Sequence, residues 1–120
     1  MIVIIAGGRD LWVSPEFIFD SLKNFRVTIN DITEIVCGEA RGIDTCGKNF
    51  ARKYNIKVAS FLADWEKYKK GAGPRRNNDM SRYGTHLLLL WDGRSSGSHN
   101  MKQQMIRRHK PIMEVVLRQQ

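Results

Sequence analysis

Three glycine-bearing segments hold most of the polar residues that chemistry could use. They are Gly7-Gly8-Arg9-Asp10, Gly38-Glu39-Ala40-Arg41-Gly42-Ile43-Asp44 and Asp92-Gly93-Arg94-Ser95-Ser96-Gly97-Ser98. Glycine lets backbone approach a ligand closely and adopt positive φ. Where such a turn opens a helix, unpaired N–H groups and a partial positive charge favour an anion, phosphate above all. Arg9 and Arg41 can add charge-assisted, bidentate contacts to it. The segments also carry carboxylates, Asp92, Asp44 and Glu39, the side chains suited to proton transfer or to accepting ribose hydroxyls. None of the turns is a G-x-G-x-x-G dinucleotide fingerprint. None is a Walker A loop, because Gly47-Lys48 is followed by Asn49.

The elements that must position these turns follow from the apolar pattern. Ile2–Ala6 is a continuous apolar run, as in a strand buried on both faces. Ser14-Pro15-Glu16 opens a helix, with serine as N-cap and proline in the first turn; Phe17, Ile18, Leu22 and Phe25 give it an apolar side. Ile32–Cys37 reads as a second strand ended by Gly38, Ile43–Tyr54 as a helix stopped by Asn55, and Ile56–Phe61 as a third strand. The stretch from Asp64 to Pro74 reads mostly as loop, for its two glycines and proline, and Pro74 starts a helix carrying Arg75 to Tyr83. Thr85–Trp91 is a central strand. Ser98 or Ser96 caps a helix running to about His109, and a last strand runs from Pro111-Ile112 through Leu117. Strands and helices alternate with short connections. This predicts an α/β fold: a Rossmann-like three-layer sandwich, with a parallel sheet of about five strands and helices on both faces. Ligands of such sheets sit beyond the carboxyl ends of the strands, which is where all three glycine segments fall. Asp92, following the most apolar strand, is the first candidate for general base or ribose contact, or it caps its own turn. Asp44 either complements a helix dipole or meets a ligand, and Glu39 can reach the same cleft.

At 120 residues the chain is expected to form one domain, residues 1–120. No apolar run approaches the ~18 residues that span a bilayer, and the apolar start at Ile2 has no basic leader before it. The expectation is a cytoplasmic protein without a membrane partner. Cys37 and Cys46 are neither a disulfide scaffold nor a zinc pattern. His86 has no cysteine or histidine partner nearby, and His99 and His109 read as solvent-facing, so neither a metal site nor a cofactor is implied. Twenty Lys and Arg against twelve Asp and Glu give a net charge of +8, which suits an anionic partner. Trp65 and Tyr68, in the loop after the third strand, are expected to cover the sheet edge, with base stacking as the alternative.

Five segments in order carry a family resemblance. They are Gly7–Asp10, Gly38–Asp44, Ala63-Asp64-Trp65, the stretch from Ala72 to Met80, and the stretch from Trp91 to Met101. They are similar to the patterns G-S-R-D, G-x-A-R-G-x-D, A-D-W, A-G-x-x-R-N-x-x-M and W-D-G-x-S-x-G-T of the small YspA-like branch of the SLOG superfamily. That superfamily includes the DprA/Smf proteins and the "lonely guy" phosphoribohydrolases. The resemblance implies a single SLOG-like Rossmann domain that binds nucleotides or their derivatives. It implies site roles for Gly38, Ala40, Arg41, Gly42 and Asp44, for Arg76, Asn77 and Met80, and for Asp92, Gly93, Ser95, Gly97 and Ser98. Ser98 stands where threonine is usual and keeps the hydroxyl, whereas Gly8 replaces a serine and loses one. The hydrolases' P-G-G-x-G-T-x-x-E ends in a catalytic glutamate; the matching position here is Met101, whose thioether cannot act as a general base.

The leading expectation is therefore a protein that binds a nucleotide or nucleotide-derived small molecule by its phosphate, as a sensor, sequestering or accessory protein. Two alternatives stand beside it. One is a hydrolase of an N-glycosidic or ADP-ribose-like bond using Asp92, Asp44 or Glu39. The other is a DprA-like module for single-stranded DNA, for which the run from Trp65 to Arg76 mixes basic and aromatic residues. Related proteins often pair through helices beside the site, so a homodimer is expected.

Overall fold

A computed structural model describes residues 1–118. Five strands form one parallel sheet: β1 (Ile2–Gly7), β2 (Glu34–Gly38), β3 (Lys57–Phe61), β4 (His86–Trp91) and β5 (Ile112–Val116), in the order β3-β2-β1-β4-β5. The helices are α1 (Pro15–Asn24), α2 (Ile43–Lys53), α3 (Trp65–Tyr68), α4 (Ala72–Tyr83) and α5 (Ser96–Arg107). This is the expected Rossmann-like α/β layout.

Burial on both faces explains the unbroken apolar runs. Successive side chains of a strand point to opposite faces, so Val3 and Ile5 of β1 join Leu88 and Leu90 of β4 beneath α1 and α2. Ile4 and Ala6 join Leu87, Leu89 and Trp91 on the other face, against Met80 of α4 and Met101 and Met105 of α5. The outer strand β3 is different. Lys57, Val58 and Ser60 are exposed, because β3 has one strand neighbour and little cover.

Helix α1 begins as its sequence signals require: the Ser14 side chain accepts from the Phe17 N–H at 3.0 Å, and Pro15 takes the first helical position. Asn55 ends the run after α2 at a positive φ of 55°. The segment between β3 and α4 departs from the expected loop. Asp64 accepts from the Lys67 N–H at 3.1 Å and caps the one-turn α3. Helix α4 then starts at Ala72, before Pro74 rather than at it. A proline in the first turn disturbs nothing, since those N–H groups have no intrahelical partner. Helix α5 starts at Ser96 with Ser95 in the cap position, ahead of the serines expected there. No helix among the described residues is long and apolar enough to cross a membrane.

Candidate functional site

The chain leaves β1 towards β2 on one side and later returns to place β4 on the other. The connections that follow β1 and β4 therefore leave for opposite faces of the sheet, to α1 and to α5, and open a crevice between them, the usual ligand position in an open parallel sheet. Here it is a cleft of about 760 Å³ lined from β1, the turn before α2, the segment after β3, and the first turns of α4 and α5.

Around Gly7, which lines it, the backbone is tightly packed. The Gly8 N–H donates to Leu90 O at 3.1 Å, and a Cβ on Gly7 would lie 1.8 Å from that oxygen, so only glycine lets β1 end this close to β4. Gly42 has φ of 75°, and a Cβ there would sit 2.4 Å from Gly8 O. The Ile43 N–H donates to that carbonyl at 3.1 Å, and the Ala40 N–H donates to Asp44 Oδ2 at 3.1 Å. Two N–H groups of the Gly38–Asp44 turn are thus taken by the protein's own acceptors, one a backbone carbonyl and one a carboxylate.

The cleft wall is built around Arg76, Asn77 and Asp44. Asn77, 5% exposed, accepts from Arg76 Nε at 3.2 Å through its side-chain oxygen. Its amide donates to Gly97 O at 3.2 Å and Asn100 Oδ1 at 3.1 Å, tying α4 to the first turns of α5. The guanidinium of Arg76 and the carboxylate of Asp44 both crowd the space over Gly38 where a Cβ would sit. Ser95 makes no side-chain cap for α5. Its Oγ, at the edge of the cleft, is the one buried side-chain nitrogen or oxygen among the described residues without a hydrogen-bond partner.

The three carboxylates have different electrostatics. Burial pushes Asp44 up to about 6, against the opposing pull of the Ala40 N–H and the Arg76 charge. Glu39 is held below its ordinary value chiefly by Lys48, whose Nζ lies 2.6 Å from Glu39 Oε2. Asp92 is lowered because its Oδ1 accepts from the Arg94 and Ser95 N–H groups at 2.8 and 2.9 Å, the cap of its own turn. Asp44 alone of the three is poised to exchange a proton near neutral pH.

Of the residues singled out from the sequence, Gly7, Arg9, Glu39, Ala40, Asp44, Arg76, Asn77, Met80, Ser95, Gly97 and Ser98 line the cleft. Gly8, Gly38, Arg41, Gly42, Asp92 and Gly93 do not line it. Arg41 is instead paired with Asp10 on the surface, its side chain 67% exposed. Leu62, Trp65, Lys70 and Asn100 line the cleft without having been singled out as site residues. For Trp65 a signal existed, the aromatic residue of the A-D-W segment in a loop at the carboxyl edge of the sheet. It is not the edge cover expected, since α3 holds it 57% exposed. Among the described residues no group of three or more His, Cys, Asp or Glu side chains is placed to hold a metal ion.

A five-stranded parallel sheet with a cleft at its switch point defines a Rossmann-like α/β protein. The chain belongs to the YspA, cpYpsA-related SLOG family, whose profile matches residues 1–68, from β1 through α3. Membership points, at a general level, to nucleotide-related binding. The chain is also similar to the Gene 61 protein of Mycobacterium phage D29, 28% identical over 117 residues, which cover 92% of this chain and 93% of that protein. No solved structure matches it.

Proposed function

We propose that this chain binds a nucleotide or nucleotide derivative in the cleft by its phosphate, as a sensor, sequestering or accessory protein. The observation that carries the reading is the Asn77 clasp. One buried amide holds both the Arg76 guanidinium and the first turns of α5 against the same cleft. A mobile arginine would lose conformational entropy on binding an anion, and an arginine already held by a side-chain hydrogen bond loses less. The α5 N-terminus adds N–H groups and a partial positive charge, and Gly97 leaves them open, with nothing within 4 Å of the place a Cβ would take. Turned outward, the unpartnered Ser95 Oγ is a further donor for a phosphate oxygen.

Thermal denaturation against AMP, ADP-ribose, NAD, cyclic and oligonucleotide second messengers and a short single-stranded DNA tests this. A ligand at 100 times its dissociation constant adds about 2.7 kcal/mol, several degrees for a domain of this size. The expected result is a shift with a small nucleotide that Arg76→Ala cuts by about half or more. No shift with any nucleotide, or a shift only with DNA, would sink the reading.

One observation favours a second reading, hydrolysis of a nucleotide bond. Asp44 is buried in the cleft wall and pushed up to about 6, so it can hold or release a proton at working pH. Met101 counts against the family's glycosidic chemistry, since it is 1% exposed and packed in the core at the position where hydrolases carry glutamate. Product release by the wild type, lost in Asp44→Asn with binding intact, would establish hydrolysis; binding without turnover would leave the protein a binder.

A further inference from the structure

The cleft lining is of two kinds. Arg76, Asn77 and the serines of the α5 turn make part of the lining polar, while Leu62 and Trp65 add exposed apolar surface to it. Leu62 is 77% exposed and Trp65 57%. Large apolar side chains left this open beside a cleft mark a surface that something covers. The Trp65 ring lies against the start of α4, where Gly73 interposes no side chain: a Cβ there would sit 3.5 Å from Cη2. Arg76 follows Gly73 by three residues, so adjacent turns of α4 bring the ring and the guanidinium to the same cleft.

We propose that Trp65, with Leu62 beside it, is the platform on which the base of a nucleoside monophosphate stacks while Arg76 and the α5 turn hold its phosphate. This rests on the phosphate-binding reading above and narrows it: the cleft selects a nucleotide over a sugar phosphate. Tyr68, the neighbouring aromatic, is already occupied, with Arg75 4.1 Å and Lys67 5.1 Å from its ring centroid. Trp65 has no ring or cation partner among the described residues, so its face is open to a base. Stacking is tolerant of base identity because every base has a π-face, so the platform accepts purines and pyrimidines, purines better for their larger area.

The test is calorimetry of the full chain with AMP, CMP and ribose 5-phosphate, alongside tryptophan fluorescence. Trp65→Ala weakens AMP roughly 10- to 100-fold, the worth of one stacked base, and leaves ribose 5-phosphate within about twofold. Trp65→Phe keeps most of the AMP affinity, and AMP quenches wild-type fluorescence but not that of Trp65→Phe. Arg76→Ala weakens all three ligands. Equal wild-type affinity for AMP and ribose 5-phosphate, both lost in Arg76→Ala, would overturn the platform and leave the phosphate site standing. So would a Trp65→Ala chain that binds AMP as the wild type does. No binding of any of the three by the wild type would overturn both readings. Trp65 is exposed, so an unchanged Tm in its variants shows that the fold is intact.

Discussion

Arg76 and Asp44 close over the same backbone carbon: a Cβ on Gly38 would lie 2.5 Å from Arg76 Nη1 and 2.8 Å from Asp44 Oδ2. The cation comes from α4 and the carboxylate from the first turn of α2, more than thirty residues apart in the chain. Their approach brings the Arg76 charge to bear on the Asp44 carboxylate at one end of the cleft. Arg76 favours the ionised carboxylate, and burial disfavours it more strongly.

The first consequence is a pH dependence. Asp44 has a folded pKa of about 6 against 3.8 for the free side chain. Between those values the native state keeps a proton that the unfolded chain has released, so stability falls as pH rises through the window. Above it, ionised Asp44 costs on the order of 2–3 kcal/mol. Asp44→Asn keeps an acceptor for the Ala40 N–H and removes the charge. Its unfolding free energy in urea should match the wild type near pH 4 and exceed it by about 2 kcal/mol at pH 7. A constant difference across that range would contradict the assignment. The lowered carboxylates, Glu39 and Asp92 among them, act in the opposite sense at lower pH and cancel in the comparison.

Arg76 and Arg41 should separate cleanly in binding. Removing a charged hydrogen-bond partner of a phosphate costs about 1.5–3 kcal/mol, so Arg76→Ala should weaken nucleotide affinity by ten- to a hundredfold. Arg41 is committed to Asp10 at the surface. Arg41→Ala should change affinity no more than about threefold and stability by no more than about 1 kcal/mol. Titration calorimetry of the two variants decides; an Arg41 effect as large as that of Arg76 would mean that Arg41 leaves Asp10 for the ligand.

Two glycines make a matched pair. Gly42→Ala places a Cβ 2.4 Å from Gly8 O at a φ of 75°, and should destabilise by at least about 1–3 kcal/mol through backbone strain alone. Gly97→Ala meets nothing within 4 Å and improves helix propensity, so Tm should hold or rise. The added methyl should nevertheless crowd the phosphate and weaken nucleotide by about tenfold or more. Melting curves with and without AMP measure both effects.

Asn77→Ala should hurt stability and affinity together. It strands Gly97 O and Asn100 Oδ1 and frees the Arg76 guanidinium. The expected cost is about 1–3 kcal/mol of stability, with a loss of affinity approaching that of Arg76→Ala. Arg76→Ala should lower affinity more than Asn77→Ala while costing less stability, because it breaks one of those three hydrogen bonds rather than all of them, and this contrast in denaturation curves distinguishes a positioning residue from a contacting one.

The amino-acid sequence by itself determined the sheet. Runs such as Ile2–Ala6 and Leu87–Leu90 are apolar without alternation, and only a strand covered on both faces tolerates that. Alternation with helices then leaves parallel topology, and the carboxyl edge follows as the place for the glycine turns. What spacing could not supply was which charged groups face the cleft. Arg41 and Arg76 are equally basic in the sequence, yet one is taken by Asp10 and the other is drawn in by Asn77. Asp92 looked the best-placed carboxylate, yet local backbone N–H groups hold it in its turn, whereas Asp44 is raised by burial under residues distant in the chain. Desolvation and long-range pairing depend on three-dimensional distance, and that is why only the tertiary structure could choose between them.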